Sequence, residues 1–170
     1  HYILGIIFQQ QSKFEDAAAA LRRAIDVKPD YPEAHFALGT VMQQQGNFAG
    51  AVAALRQALL YAPNAPEIHN ALGTALRQTG DIESARVEFQ EAARLNKIKS
   101  NQQAAMFAMN TGIAKLKEGK LDDAIETFQR AVQLDPTNAQ AYYNLAKALQ
   151  KKGQREAART AEQKARELDP

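Results

Sequence analysis

Gly5, Gly39 and Gly73 stand 34 residues apart, and so do Gly46 and Gly80. Ala17, Ala51 and Ala85 keep that interval, as do Ala24, Ala58 and Ala92, the column Leu21, Leu55 and Phe89, and the pair Pro29 and Pro63. The register then slips by five: Gly73 is followed by Gly112, Gly80 by Gly119 and Ala92 by Ala131. Beyond the slip the 34-residue interval returns, from Gly119 to Gly153, Ala124 to Ala158, Ala131 to Ala165 and Pro136 to Pro170. A fixed period of this length marks an array of supersecondary units that stack on their neighbours.

Each unit reads as two helices. In the second, Pro32 and Glu33 suit a helix start, Pro for its fixed φ and Glu for the positive end of the helix dipole. Phe36, Leu38, Val41 and Met42 follow at helical spacing and Gly46 ends the run. A second helix is predicted over Phe48 to Tyr61, stopped by Pro63. Gly39 and Ala51 are expected where the two helices of a unit approach most closely, and Ala58 where a unit meets its neighbour.

The pieces "ALGT" at 37–40 and 71–74, "GNFAGA" at 46–51, "GKLDDA" at 119–124 and "NLAKAL" at 144–149 closely resemble the tetratricopeptide repeat family, across essentially the whole chain. The resemblance implies an all-α solenoid of antiparallel helix pairs, about ten helices in a right-handed superhelix with the first helices on its concave face. Five repeats are expected in one array over 1–170, at about 1–31, 32–65, 66–104 with the five-residue insertion, 105–138 and 139–170. Three departures are noted: Lys97 stands where the third unit should carry Pro, Thr111 where the fourth should carry Leu, and Ala146 where the fifth should carry Gly. They are expected to loosen local packing only.

The insertion falls within Leu95 to Met106. Ser100 and Gln103 have the spacing of a capping box, which predicts a seventh helix from about Asn101 to Glu118. At the amino end, "HYILGIIFQQ" is apolar on nearly every side, as for a helix with two neighbours. At the other end Arg155, Arg159 and Glu162 replace apolar residues, the polar outer face of a capping repeat. With His1 in place of an initiator Met, the sequence reads as a fragment, complete at its C-terminus and cut at its N-terminus.

Composition narrows the function. Formal charge is +2, from 21 basic and 19 acidic side chains, without the basic excess of a dedicated nucleic-acid binder. Cysteine is absent, which excludes disulfides and thiol chemistry. The longest apolar run, Tyr2 to Phe8, is too short to span a bilayer. No targeting segment is recognisable and the compartment is left open. His1, His35 and His69 share one column, but equivalent positions in stacked helix pairs lie about 10 Å apart. Zinc needs each ligand nitrogen at about 2 Å, so the three cannot hold one ion and the column reads as structural. Ser12, Ser84 and Ser100 have no assignable His or acid partner, and no phosphate-binding glycine loop occurs. The cations Lys147, Lys151, Lys152, Arg155 and Arg159 interleave with Glu156 and Glu162, as on a solvated face. The expectation is therefore a non-enzyme with no cofactor, no metal and no nucleic-acid partner.

In the family the resemblance implies, ligands are protein segments laid along the first helices. Carried onto this sequence, the peptide-contacting positions are Phe36, Thr40, Gln43, Gln44, Asn70, Thr74, Arg77, Gln78, Met109, Asn110, Ile113, Lys117, Tyr143, Asn144, Lys147 and Lys151. Amides can bond a peptide backbone and Phe36 and Tyr143 can bury side chains. Arg77 and the three lysines favour a segment carrying acidic residues. Some family members clamp a chaperone C-terminus with Lys and Asn; here Asn110 and Asn144 match but the rest do not, so that ligand is not expected. The function implied is a protein-interaction scaffold. The alternatives are the substrate-recruiting arm of a larger enzyme, such as a glycosyltransferase, or an architectural array that self-associates, with the N-terminal helix as a sticky end.

Overall fold

The computed structural model describes residues 1–169, and among them every regular element is an α-helix. In order these are α1 (Tyr2–Gln10), α2 (Phe14–Val27), α3 (Pro32–Gln44), α4 (Phe48–Tyr61), α5 (Pro66–Gln78), α6 (Ile82–Lys117), α7 (Leu121–Leu134), α8 (Ala139–Lys151) and α9 (Arg155–Leu168). The fold is all-α, built from helix pairs of the solenoid class.

Glycine at the pair contacts has a direct steric cause. A Cβ at Gly39 would stand 2.6 Å from Leu55 Cγ and 3.4 Å from the Ala51 carbonyl oxygen. Gly5 meets Leu21 in the same way, Gly73 meets Phe89, and Gly112 meets Phe128. At each of these positions a large side chain of the partner helix already fills the place of a Cβ, whereas the fifth repeat holds Ala146 in the same column.

The turn joining the two helices of a pair repeats as well. Gly46, Gly80, Gly119 and Gly153 all adopt positive φ, between 76° and 88°. The same column in the first repeat holds Ser12, at φ 58°. A left-handed conformation costs an L-residue about 1–2 kcal/mol, part of which glycine returns through its greater freedom in the unfolded chain. Ser12→Gly is expected to raise stability by about 0.5 kcal/mol, measurable by chemical denaturation.

The chain divides into two compact units, His1–Asn96 and the residues from Lys97 onward. In the first, α1, α3 and α5 lie side by side, and α2 and α4 each pack between successive first helices. Its cores gather around Leu21, Leu38 and Val41, and around Leu55, Leu72 and Leu76. In the second, α7 and α9 flank α8, and the core centres on Phe128, Leu145 and Leu149.

The structure corrects the sequence reading at α6. Nine helices, not ten, occur among the described residues. No helix starts at Asn101, because Ser100 and Gln103 lie inside α6 and form no cap. Lys97 is the cause. The residues before Pro29, Pro63 and Pro136 in the same column are Lys28, Ala62 and Asp135, all in extended or near-extended backbone. A following proline disfavours the α conformation, which ends each of those helices. Asn96 precedes Lys97 instead, and no glycine or proline occurs between Ile82 and Thr111. Lysine, glutamine and alanine then carry the helix through the insertion. Lys97 removes a stop signal; it does not merely loosen packing.

The candidate peptide-binding faces

In the first unit, the predicted polar positions on α3 form a small network. Gln9 Nε2 on α1 donates to Thr40 Oγ1 at 3.2 Å and to Gln44 Oε1 at 3.0 Å. Thr40 in turn donates to the Ala37 carbonyl at 2.8 Å. Gln43 Nε2 reaches across to the Ala71 carbonyl on α5 at 2.9 Å. Gln9 falls in the Gln43 column, 34 residues earlier, and was left out of the sequence reading although the period places it there. On α5, Asn70, Arg77 and Gln78 are exposed, Thr74 is half-buried with its hydroxyl donating to the Asn70 carbonyl, and the Arg77 guanidinium lies 5.7 Å from the Phe89 ring centroid.

In the second unit, Tyr143 is exposed and Lys147 Nζ stands 4.6 Å from its ring centroid. Such a pair holds a cation over an apolar surface without neutralising it. Lys151 is exposed, and among the described residues no carboxylate pairs with Lys147 or Lys151. Tyr143 and Lys147 line a groove of about 630 Å³ with Arg155, Arg159 and Glu162. Asn144 Oδ1 accepts from Gln140 Nε2 at 3.5 Å, while its Nδ2 is buried with no acceptor. Asn110 and Lys117 on α6 are exposed.

Three positions read as peptide-contacting are partly committed to the core. Phe36 is half-buried against the cluster around Leu72, and Met109 and Ile113 against the cluster around Phe128. The faces are thus more polar than the sequence reading has them.

The histidine column is structural at two positions. His35 Nε2 stands 2.8 Å from the Pro29 carbonyl oxygen, and His69 Nε2 stands 2.9 Å from that of Pro63. Each ring ties the start of a first helix to the turn before it. His69 Nδ1 also meets Glu88 Oε2 at 2.6 Å. No group of three or more potential metal ligands occurs among the described residues.

The sequence that makes these pair contacts and turns is matched by family models described as tetratricopeptide repeat, over residues 8–72, 42–106 and 139–170, and as TPR repeat, over 112–153. The chain belongs to the tetratricopeptide repeat family. Solved structures agree on the fold. A crystal structure of MamA aligns at TM-score 0.54 and 23% identity, covering 98% of this chain and 94% of its own. PilF of Pseudomonas aeruginosa aligns at 0.52 and 23% identity, covering 99% and 75%. YrrB, described as a TPR protein with an unusual peptide-binding site, aligns at 0.52 and 23%, covering 98% and 83%. No curated protein matches the sequence. The tetratricopeptide fold is in general that of a protein-interaction scaffold, and among the described residues no helix is long and apolar enough to cross a membrane.

Proposed function

We propose that this tetratricopeptide array, with repeats at about 1–31, 32–65, 66–104, 105–138 and 139–170, is a non-catalytic scaffold that binds an extended peptide carrying acidic residues. The observation that carries this is the α8 face. Lys147 and Lys151 have no carboxylate partner among the described residues, exposed Tyr143 offers a ring, and Asn144 holds an unpaired amide hydrogen. An unsatisfied buried donor costs about 1–3 kcal/mol. An outward rotation of the Asn144 amide onto a peptide carbonyl or carboxylate recovers it. In the first unit, Gln44, Asn70 and Gln78 offer amides to a peptide backbone.

A short peptide alternating Asp and Leu, and its Lys–Leu counterpart, test the charge preference by calorimetric titration. The acidic peptide is expected to bind more tightly. Lys147→Ala with Lys151→Ala should weaken it about fivefold, since exposed ion pairs are worth about 0–1 kcal/mol each. Equal binding of both peptides, or an unchanged affinity in the double variant, would show that these lysines only solvate the face.

The chain also self-associates through α1 on this reading. Ile3 is 67% exposed, and Leu4 and Ile7 are bare beside it, while Ile6 and Phe8 turn inward. Leu4 and Ile7 occupy the columns of Leu38 and Val41, which in α3 are buried. Full burial of such a side chain gains about 1.5–3 kcal/mol. Ile3→Glu with Ile7→Glu is expected to weaken association in sedimentation velocity, without loss of helicity by circular dichroism.

A further inference from the structure

The period exposes an anomaly in α6. Phe107 shares its column with Ala34, Ile68 and Ala141, which are 0%, 5% and 0% exposed; Phe107 is 75% exposed. Ile68 packs among Leu55 and Ala58 of α4, and Ala141 beside Ala131 of α7. That column therefore seats each first helix on the second helix of the preceding repeat. Ala114 repeats the pattern: it is exposed where Val41, Ala75 and Ala148 are fully buried.

The complementary half of the same interface is bare too. Ile82 is 57% exposed, whereas its column mates Phe14 and Leu121 pack into cores. Ala93 is exposed in the column where Ile25 and Leu59 are half-buried. Ile82, Arg86, Phe89 and Ala93 line an apolar groove of about 450 Å³ on the first unit. Phe107, Ala108, Thr111 and Leu134, with the polar Lys115, Glu126 and Arg130 beside them, line a groove of about 420 Å³ on the second.

Elsewhere a turn brings each second helix and the next first helix together, at residues 28–31, 62–65 and 135–138. α6 has no such turn. Another molecule can cover both grooves with α6 intact.

We propose that the occupant is a second copy of this chain, exchanged reciprocally. The 83–93 stretch of one α6 packs antiparallel on the 107–117 stretch of the other, and the reverse, in a closed two-fold dimer. The inter-repeat register sets Ala93 of one copy against Phe107 of the other, because Leu59 and Ile68 hold the equivalent columns. The dyad then falls near Ser100, midway between them, where Ile98 is also exposed. The five-residue insertion and Lys97 together form the exchange element: they continue the helix where the other repeats turn back. This interface is separate from the α1 face and from the α8 face proposed above; Arg77, read as a peptide-contacting position, also lines the groove beside Phe89.

The test uses the full chain with Ile3→Glu and Ile7→Glu, which removes the α1 face, in sedimentation velocity and light scattering. A dimer is expected. Adding Phe107→Glu, or separately Ala93→Lys, should raise the dissociation constant by about 30-fold or more, as for a buried interface anchor. Both positions are exposed, so each variant should keep its helicity. Equimolar mixing of the Phe107→Glu and Ala93→Lys chains should restore a dimer, with one interface unaltered and the other carrying a Lys–Glu pair. Lys97→Pro should yield a monomer by returning the stop that lets one chain cover its own grooves. A monomeric parent, a dimer indifferent to Phe107→Glu, or failure of the mixed pair to associate would each overturn the exchange. If association depends only on Ile3 and Ile7, the α1 face is the sole contact.

Discussion

Phe128→Ala is expected to lower the stability of the Phe128 core by about 3–5 kcal/mol. Phe128 is the largest fully buried side chain among the described residues. Its ring lies against the Cα of Gly112, where an added Cβ would come within 2.6 Å, and it packs among Leu145, Leu149 and Ile125. Removal costs the transfer energy of a whole ring and leaves a cavity bounded by two helix backbones that cannot close on it. Because repeat arrays are held together by neighbour contacts, the loss should fall on α7–α9 first. Denaturation followed by circular dichroism is expected to show an earlier, separate transition for roughly that share of the helical signal. A single transition shifted as a whole would mean that the two cores unfold as one unit.

What the sequence discloses and what it hides follows from how local each signal is. α3 and α4 could be bounded from single residues. Pro32 starts one and Pro63 stops the other, and both spans agree with the structure. The glycine and alanine columns were legible because a steric requirement that recurs at every pair leaves the same residue at the same interval. α6 was misread for the opposite reason. The Ser100–Gln103 pattern is a positive signal for a helix start, but the deciding fact is the missing proline at 97. A capping box gains nothing when the chain upstream is already helical and its amides are already bonded.

The polar face shows a similar limit. Spacing places Thr40, Gln43, Gln44 and Asn144 on the first helices. It cannot say that Gln43 is taken up by the Ala71 carbonyl or that Asn144 keeps a free amide hydrogen. Phe36, Met109 and Ile113 look like peptide contacts by register, yet cores made largely of alanine leave room that long side chains at the edge fill from outside. Ser12 was read only as a serine without catalytic partners. Its column, shared with four turn glycines, is what defines its role.

Gly39→Val is expected to destabilise the first unit by about 2–4 kcal/mol, at or above the upper end of the usual overpacking cost. Its Cβ alone would stand 2.6 Å from Leu55 Cγ and 2.9 Å from Leu55 Cδ2, and Leu55 is fully buried in the cluster with Ala58, Ile68 and Leu72. The Ala51 carbonyl oxygen at 3.4 Å closes the remaining side. Relief therefore requires α3 and α4 to move apart. That movement would also loosen Ala54 and Val41, which share the core with Leu21. The added methyl groups of valine make the overlap worse and are poorly accommodated in a helix. Glycine is itself a weak helix former, so the same change at an exposed helical site would raise stability by a few tenths of a kcal/mol; the sign of the effect thus separates contact from propensity. The pair Gly39→Val, Leu55→Ala provides the check. Truncating Leu55 removes the atoms that the new side chain strikes, so the double variant should be more stable than the sum of the two single losses by about 1–3 kcal/mol. Strict additivity in guanidinium denaturation would show that Gly39 is needed for some reason other than its contact with Leu55.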